Sequence, residues 1–167
     1  MIFLGIGSNL SSSFGDRFKN IDLAVSFLKE KKINLNKKSS FYETFSYPDK
    51  KNPKFINIVV AVESILSAKD LMLALISIEE KLERKRAKKN DPRTCDIDII
   101  DYKKEVMNCK IGNFELTIPH KNMTERNFVL HPLKEICPDW RHPITKKNID
   151  FLIKNLDSFN NEITKLS

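Results

Sequence analysis

Pro92-Arg93-Thr94-Cys95-Asp96-Ile97-Asp98-Ile99-Ile100 is the stretch on which the reading of this chain turns. Its β-branched residues predict a strand, and a period of two sends Asp96 and Asp98 to one face and Ile97 and Ile99 to the other. Residues two apart are separated by about 6.5 Å along a strand, so the two carboxylates can share one hard cation or bracket two. Magnesium is the natural guest, because one or two carboxylates plus substrate phosphates are its usual arrangement. An Asp-x-Asp tripeptide also fits a half-exposed edge strand whose polar face is acidic. The basic run just upstream, Arg84-Lys85-Arg86-Ala87-Lys88-Lys89 and then Arg93, favours metal plus polyphosphate.

At 167 residues with 41% hydrophobic content, the chain has enough material for a real core, and one domain over residues 1–167 is expected. Cys95, Cys109 and Cys137 form an odd set without a Cys-x-x-Cys pair. Neither a disulfide framework nor a thiolate zinc site is indicated, and the reduced cytoplasm is the expected compartment. The opening Met1-Ile2-Phe3-Leu4 run is too short for a signal peptide, and no apolar stretch of spanning length follows, so no membrane partner is expected. A net charge of +7 implies an anionic partner. Lysine is scattered throughout, whereas arginine is confined to Arg17, Arg84, Arg86, Arg93, Arg126 and Arg141. Because the guanidinium fork matches phosphate, the cluster before the carboxylates is more informative than the total.

Ile2 to Leu10 reads as a buried strand running into a tight glycine turn that leads to a helix, since it has neither the Lys of a P-loop nor the third glycine of a dinucleotide fingerprint. Phe14, Phe18, Ile21, Val25 and Leu28 recur at helical spacing. Strand character appears around Phe41-Tyr42, and Tyr47 to Pro53 is a loop. Phe55 to Glu63 is the clearest strand, with Ile56, Ile58, Val60 and Val62 on one face and Phe55, Asn57, Val59 and Ala61 on the other. Asn57 can read the edge of a flat heterocycle or simply occupy a wetter face. Ser67-Ala68-Lys69-Asp70 opens a helix with the core stripe Leu71, Leu75, Ile78 and Leu82. That helix is expected to run into the basic stretch, which puts Glu79 and Arg86 two turns apart on nearly one face. Asp101 to Glu105 reads as a turn, Val106 and Phe114 to Ile118 as weaker strands, Thr124 as the cap of a short helix holding Arg126 and Phe128, and Pro132 to Pro143 as irregular. Asn148 caps a helix from Ile149 to Leu156 ahead of a frayed tail. His131 and His142, beside prolines, read as structural.

Several landmarks stand in one order: Gly5-Ile6-Gly7-Ser8-Asn9-Leu10, Ser39 to Thr44, Phe55-Ile56-Asn57, Pro92-Arg93-x-x-Asp96-Ile97-Asp98-Ile99-Ile100, Pro119-His120, Arg126-x-Phe128 and Pro138 to Pro143. In that order the chain resembles the 6-hydroxymethyl-7,8-dihydropterin pyrophosphokinases of folate biosynthesis over nearly its full length. The resemblance implies an α+β fold, a ferredoxin-like βαββαβ core with an antiparallel sheet flanked by helices and a C-terminal extension. It also implies transfer of pyrophosphate from ATP to the pterin hydroxymethyl group, releasing AMP, by a two-magnesium in-line mechanism. By position, Asp96 and Asp98 would hold the two Mg2+ ions and join Arg84 and Arg93 as the catalytic set. ATP would be met by Glu79, Arg84, Arg86, Arg93, Ile99, Thr117, His120 and Arg126. Phe55 and Phe128 would sandwich the pterin, with Thr44 and Asn57 on its polar edge. The implied partners are these two small molecules, with no nucleic acid and no membrane, acting on a monomer. In place of the family's usual glycine the chain has Asp91, so a positive φ is expected there. A basic RNA-binding module would instead offer several aromatics on central strands, where only Phe55 stands. Another magnesium-dependent transferase using Asp-x-Asp would not need Phe55, Asn57 and Phe128.

Overall fold

Strand β1 (Ile2–Ser8) is followed by α1 (Arg17–Glu30), β2 (Asn34–Lys38), β3 (Tyr42–Thr44), β4 (Phe55–Glu63), α2 (Ala68–Lys81) and β5 (Asp96–Tyr102). Then come β6 (Met107–Ile111), β7 (Phe114–Ile118), α3 (Asn127–Ile136), α4 (Ile149–Lys154) and β8 (Ile163–Lys165). The structure, a computed structural model, describes residues 1–166. The main sheet has the order β5-β1-β4-β3-β8, with β2 on β4 beyond β3, and its pairings are antiparallel. With β2 and β3 as two pieces of one strand, this is the ferredoxin-like α+β arrangement; β6 and β7 form a separate hairpin turned at Gly112.

The alternation in β4 decides the layering. Ile56, Ile58, Val60 and Val62 are fully buried on one face against Leu28 of α1 and Leu71, Leu75 and Ile78 of α2. Val59 and Ala61 face the other way, against Leu130 and Leu133 of α3 and Ile149 of α4. Each such aliphatic side chain contributes about 1.5–3 kcal/mol on burial, so the sheet is held from both sides. Ser67 caps α2 by accepting from the Asp70 amide, and Asn148 caps α4 through Phe151.

Several elements differ from what their local sequence predicts. Gly5 and Gly7 lie inside β1 and not in a turn. Phe14 stays outside α1 and is exposed, because Asp16 caps the helix by accepting from the Lys19 amide. Helix α2 stops at Lys81, and Glu83 turns left-handed at φ 66, so the basic run is a loop. Strand β5 continues to Tyr102, and the turn narrows to Lys103 and Lys104, both at positive φ. Thr124 belongs to a 3-10 turn, while α3 starts at Asn127 and includes Pro132, whose missing N–H removes only one donor. Helix α4 ends at Lys154, and the tail expected to fray adds β8 to the sheet. The left-handed residue of the basic loop is Asn90, not Asp91; Asp91 instead accepts from the Lys88 amide.

Candidate active site

Asp96 and Asp98 do point from one face of β5. Their partners across the ladder are Gly7 and Gly5 of β1, and Gly7 in turn faces Asn57 of β4. A single cross-strand row therefore reads Asp96, Gly7, Asn57, with the two polar side chains about 9.5 Å apart across a bare backbone. The bareness is required: a Cβ on Gly7 would stand 2.5 Å from Asn57 Oδ1 and 3.6 Å from the Phe55 ring. On the far side of the row, Asn57 Nδ2 donates to Thr44 Oγ1 at 3.4 Å.

Cations converge on the acids. Arg84 Nη1 donates to Asp96 Oδ1 at 2.9 Å, and Arg93 Nε lies 3.2 Å from Asp96 Oδ2. Arg126 Nη1 and His120 Nε2 lie 3.3 and 3.7 Å from Asp98 Oδ2. Buried Glu79 binds Arg84, accepts from Arg86 Nη2 at 2.7 Å and accepts from the Ile97 amide at 3.3 Å. The helix ends before Arg86, so this contact is made by a loop folding back and not by two turns of one helix.

Burial opposes the charge on Asp96, but Arg93 and Arg84 outweigh it and hold the carboxyl below its usual range. Asp98 goes the other way, raised by burial and by the charge of Asp96 against the pull of His120 and Arg126. Burial pushes Glu79 up to about 7, with Arg84 opposing. His120 is lowered, mainly by burial, with Asp98 pulling the other way.

Two cavities meet at these acids. One of about 840 Å³ is lined by Phe55, Asn57, Phe128, Arg93 and Arg126, with Phe45 and Tyr47 from the loop before β4. A second of about 250 Å³ is lined by Glu79, Ile99 and Thr117, with Leu75, Phe114 and Leu116 giving it apolar walls. Arg84, Arg86, Asp96, Asp98 and His120 line both. Every residue singled out in the sequence thus borders this double cavity except Thr44, which stands behind Asn57. The aromatics also orient cations: Arg93 lies 5.2 Å from the Phe55 ring centroid and Arg126 5.5 Å from that of Phe128.

Two contributions went unread in the sequence. Gly5 and Gly7 form the floor, and an apolar run broken by glycine at a period of two was the available signal. Buried Asn9 joins two site loops, its Nδ2 donating to Pro53 O at 3.0 Å and its Oδ1 accepting from the Arg93 amide at 2.8 Å. Nothing in the local sequence announces that span. His131 and His142 stand apart from the site, and His142 Nδ1 accepts from the amides of Ile144 and Thr145.

The donor set fits magnesium. Both carboxylates are hard oxygen donors, open to solvent at 26% and 38% of their side-chain surface, and among the described residues no third His, Cys, Asp or Glu joins them into a closed site. Arg93 Nε is buried and meets Asp96 Oδ2 at 3.2 Å as an ion pair without hydrogen-bond geometry. No helix among the described residues is long and apolar enough to cross a membrane.

Residues 3–138 match the family described as 7,8-dihydro-6-hydroxymethylpterin-pyrophosphokinase. The chain is 35% identical over 146 residues to 2-amino-4-hydroxy-6-hydroxymethyldihydropteridine pyrophosphokinase of Aquifex aeolicus, covering 87% of this chain and 86% of the relative. It is 36% identical over 155 residues to the protein of that name from a Synechocystis species, covering 92% of this chain and 75% of the relative. The folic acid synthesis protein fol1 of Schizosaccharomyces pombe matches at 36% over 93% of this chain, which spans only 20% of that larger protein. Among solved structures, wild-type HPPK-DHPS of Plasmodium falciparum superposes with a TM-score of 0.70 at 16% identity, over 98% of this chain and 47% of the other, and so attests the fold alone. On the family match and the bacterial relatives, the chain belongs to the 7,8-dihydro-6-hydroxymethylpterin-pyrophosphokinase family, a family of pyrophosphokinases of folate biosynthesis.

Proposed function

We propose that the chain, as one domain over residues 1–167, transfers the β,γ-pyrophosphate of ATP to the hydroxymethyl group of 6-hydroxymethyl-7,8-dihydropterin, yielding the pterin diphosphate and AMP. The observation that carries this reading is the row Asp96, Gly7, Asn57, which sets a carboxylate pair and an amide on the floor of adjoining cavities ringed by Arg84, Arg93 and Arg126.

Each residue has a task that follows from where it stands. The smaller cavity, with Ile99, Thr117, Leu75 and Glu79 in its walls, takes the nucleoside end of ATP. Arg84, Arg86, Arg93, His120 and Arg126 then meet the phosphates. Before the nucleotide arrives, Glu79, Asp96 and Asp98 hold the four arginines near the positions they need, which limits the ordering required on binding. In the larger cavity Phe55 and Phe128 hold the flat pterin, while Asn57, steadied by Thr44, reads its polar edge. The two strand spacings between Asp96 and Asn57 support a pterin lying beside the phosphates and not over them. Pyrophosphoryl transfer demands mainly alignment and charge neutralisation, so arginine forks suffice without a protein nucleophile. Asp96 and Asp98 would hold two magnesium ions, which supply further neutralisation and lower the pKa of the attacking hydroxyl. Against a nucleic-acid partner, α3 and α4 cover Val59 and Ala61, and Phe55 is the one aromatic that β4 carries.

Incubation with ATP, magnesium and the reduced pterin should form AMP in proportion to pterin diphosphate. Formation of ADP, or nucleotide turnover independent of pterin, would contradict this function.

A further inference from the structure

We propose that residues 157–166, the arm that follows α4, are a strap that sets the pterin half of the cavity without serving the nucleotide half. The proposal rests on the function above and extends it to a segment beyond the family match, which ends at residue 138.

The strap is fastened at three places, the first two next to a residue assigned to the pterin. First, Glu162 O accepts from Asn127 Nδ2 at 3.2 Å; Asn127 is buried at the start of α3, between Arg126 and Phe128. Second, β8 pairs with β3, setting Ile163 opposite Thr44 and Lys165 opposite Tyr42, and the Leu166 amide donates to Phe41 O at 2.7 Å. Third, the Glu162 carboxylate lies 3.7 Å from Lys50 Nζ in the loop whose Phe45 and Tyr47 line the larger cavity. Asp157, where the arm begins, lines that same cavity. Asp157 is absent from the lining of the smaller one.

The physical need for the strap lies in β3, which is only three residues long. Without β8 it would be an edge strand with β4 as its ladder partner and the Tyr42 hydroxyl on Glu135 as a side-chain tie, and short segments with solvated hydrogen bonds open most readily. Thr44 would move with it, and Asn57 would lose the hydroxyl that orients its amide. Slack at Asn127 would reach Phe128 through the first turn of α3. The arm thus confers order on the pterin subsite before the ligand arrives, which is how preorganisation raises affinity.

The test uses the full chain, a chain ending at Leu156, and the full chain carrying Leu166→Pro. The truncation keeps Leu152, Ile153 and Leu156 in the second core cluster. The proline removes the Leu166 donor to Phe41 O and the leucine's packing against the first core cluster, and so loosens the end of the arm. Calorimetry measures the Kd of a non-hydrolysable ATP analogue with magnesium, and then that of the reduced pterin in the presence of both. The expected result is a pterin Kd weakened by about tenfold or more in the truncated chain and about threefold in Leu166→Pro, with the analogue Kd kept within about twofold. An unchanged pterin Kd, or equal weakening for both ligands, overturns the strap. Should the truncated chain fail to fold, Leu166→Pro decides on the same criteria. A full chain that binds the analogue but no pterin overturns the proposed function and the strap with it.

Discussion

Gly7→Ala is the sharpest perturbation this site allows, because it adds one carbon at the point where the floor must be bare. The new Cβ would stand 2.5 Å from Asn57 Oδ1, inside the 3.0 Å that real Cβ contacts respect, and the obstacle is a buried amide hydrogen-bonded to Thr44. Replacing a strand glycine by alanine gains about 0.5–1 kcal/mol in chain entropy, whereas overpacking of this kind costs about 1–3 kcal/mol. The overpacking term is the larger, so a net loss of up to about 2.5 kcal/mol is expected, with Asn57 rotated off its partner. Gly5→Ala is the matched control. Its Cβ would meet Ile100 alone, the Cδ1 end at 3.3 Å and Cγ1 at an ordinary 3.7 Å, so its stability should stay within about 0.5 kcal/mol of wild type. Urea denaturation of both variants gives the stabilities, and initial rates at saturating ATP give the pterin KM. Gly7→Ala should raise that KM by about tenfold or more and leave ATP affinity alone. Equal pterin KM in the two variants would refute the idea that Asn57 is held in place across a bare strand.

Three further outcomes follow from named contacts. The Glu79 carboxyl has its pKa raised by burial from 4.5 to about 7 in the folded chain, so the stability it allows is fully present below about pH 4.5 and is lost as pH rises through 7. The loss amounts to about 3 kcal/mol; Glu79→Gln should flatten that part of the urea-midpoint profile between pH 5 and 8, and parallel profiles would contradict it. Asn9→Ala removes a buried link to both Pro53 and Arg93, and should cost about 1–3 kcal/mol in thermal unfolding and lower kcat by loosening Arg93. Asp101 is fully buried, takes the Trp140 indole at 2.8 Å and pairs with Lys104 at 3.1 Å; Asp101→Asn should destabilise by about 1–3 kcal/mol while ATP-analogue affinity holds, as read by denaturation and calorimetry.

The strand alternations were legible because they reflect a single local rule. Asp96 and Asp98 share a face, and the β4 residues divide between the two core clusters as their period of two demands. The α2 stripe was legible for the same reason. What escaped depends on partners remote in sequence. Glu83 leaves α2 at positive φ because its carboxylate is taken by Ser13, 70 residues away, at 2.6 and 2.7 Å. The tail is polar enough to read as frayed, and becomes a strand only because β3 offers it an open edge. Pro132 argued locally against a helix whose buried Val129, Leu130 and Leu133 outweigh one missing donor. At the site, the charged and aromatic residues were visible as types, while the glycines and Asn9 serve by geometry that only the folded sheet defines.

Titration of a non-hydrolysable ATP analogue with and without magnesium, on wild type, Asp96→Asn and Asp98→Asn, bears most directly on the role of the two acids. Both now neutralise arginines, so each amide variant should bind the metal-free analogue at least as tightly as wild type, and each should lose the gain in affinity that magnesium gives the wild-type chain. A magnesium-dependent gain that survives in both variants would contradict the assignment of Asp96 and Asp98 as the carboxylates that hold metal and triphosphate together.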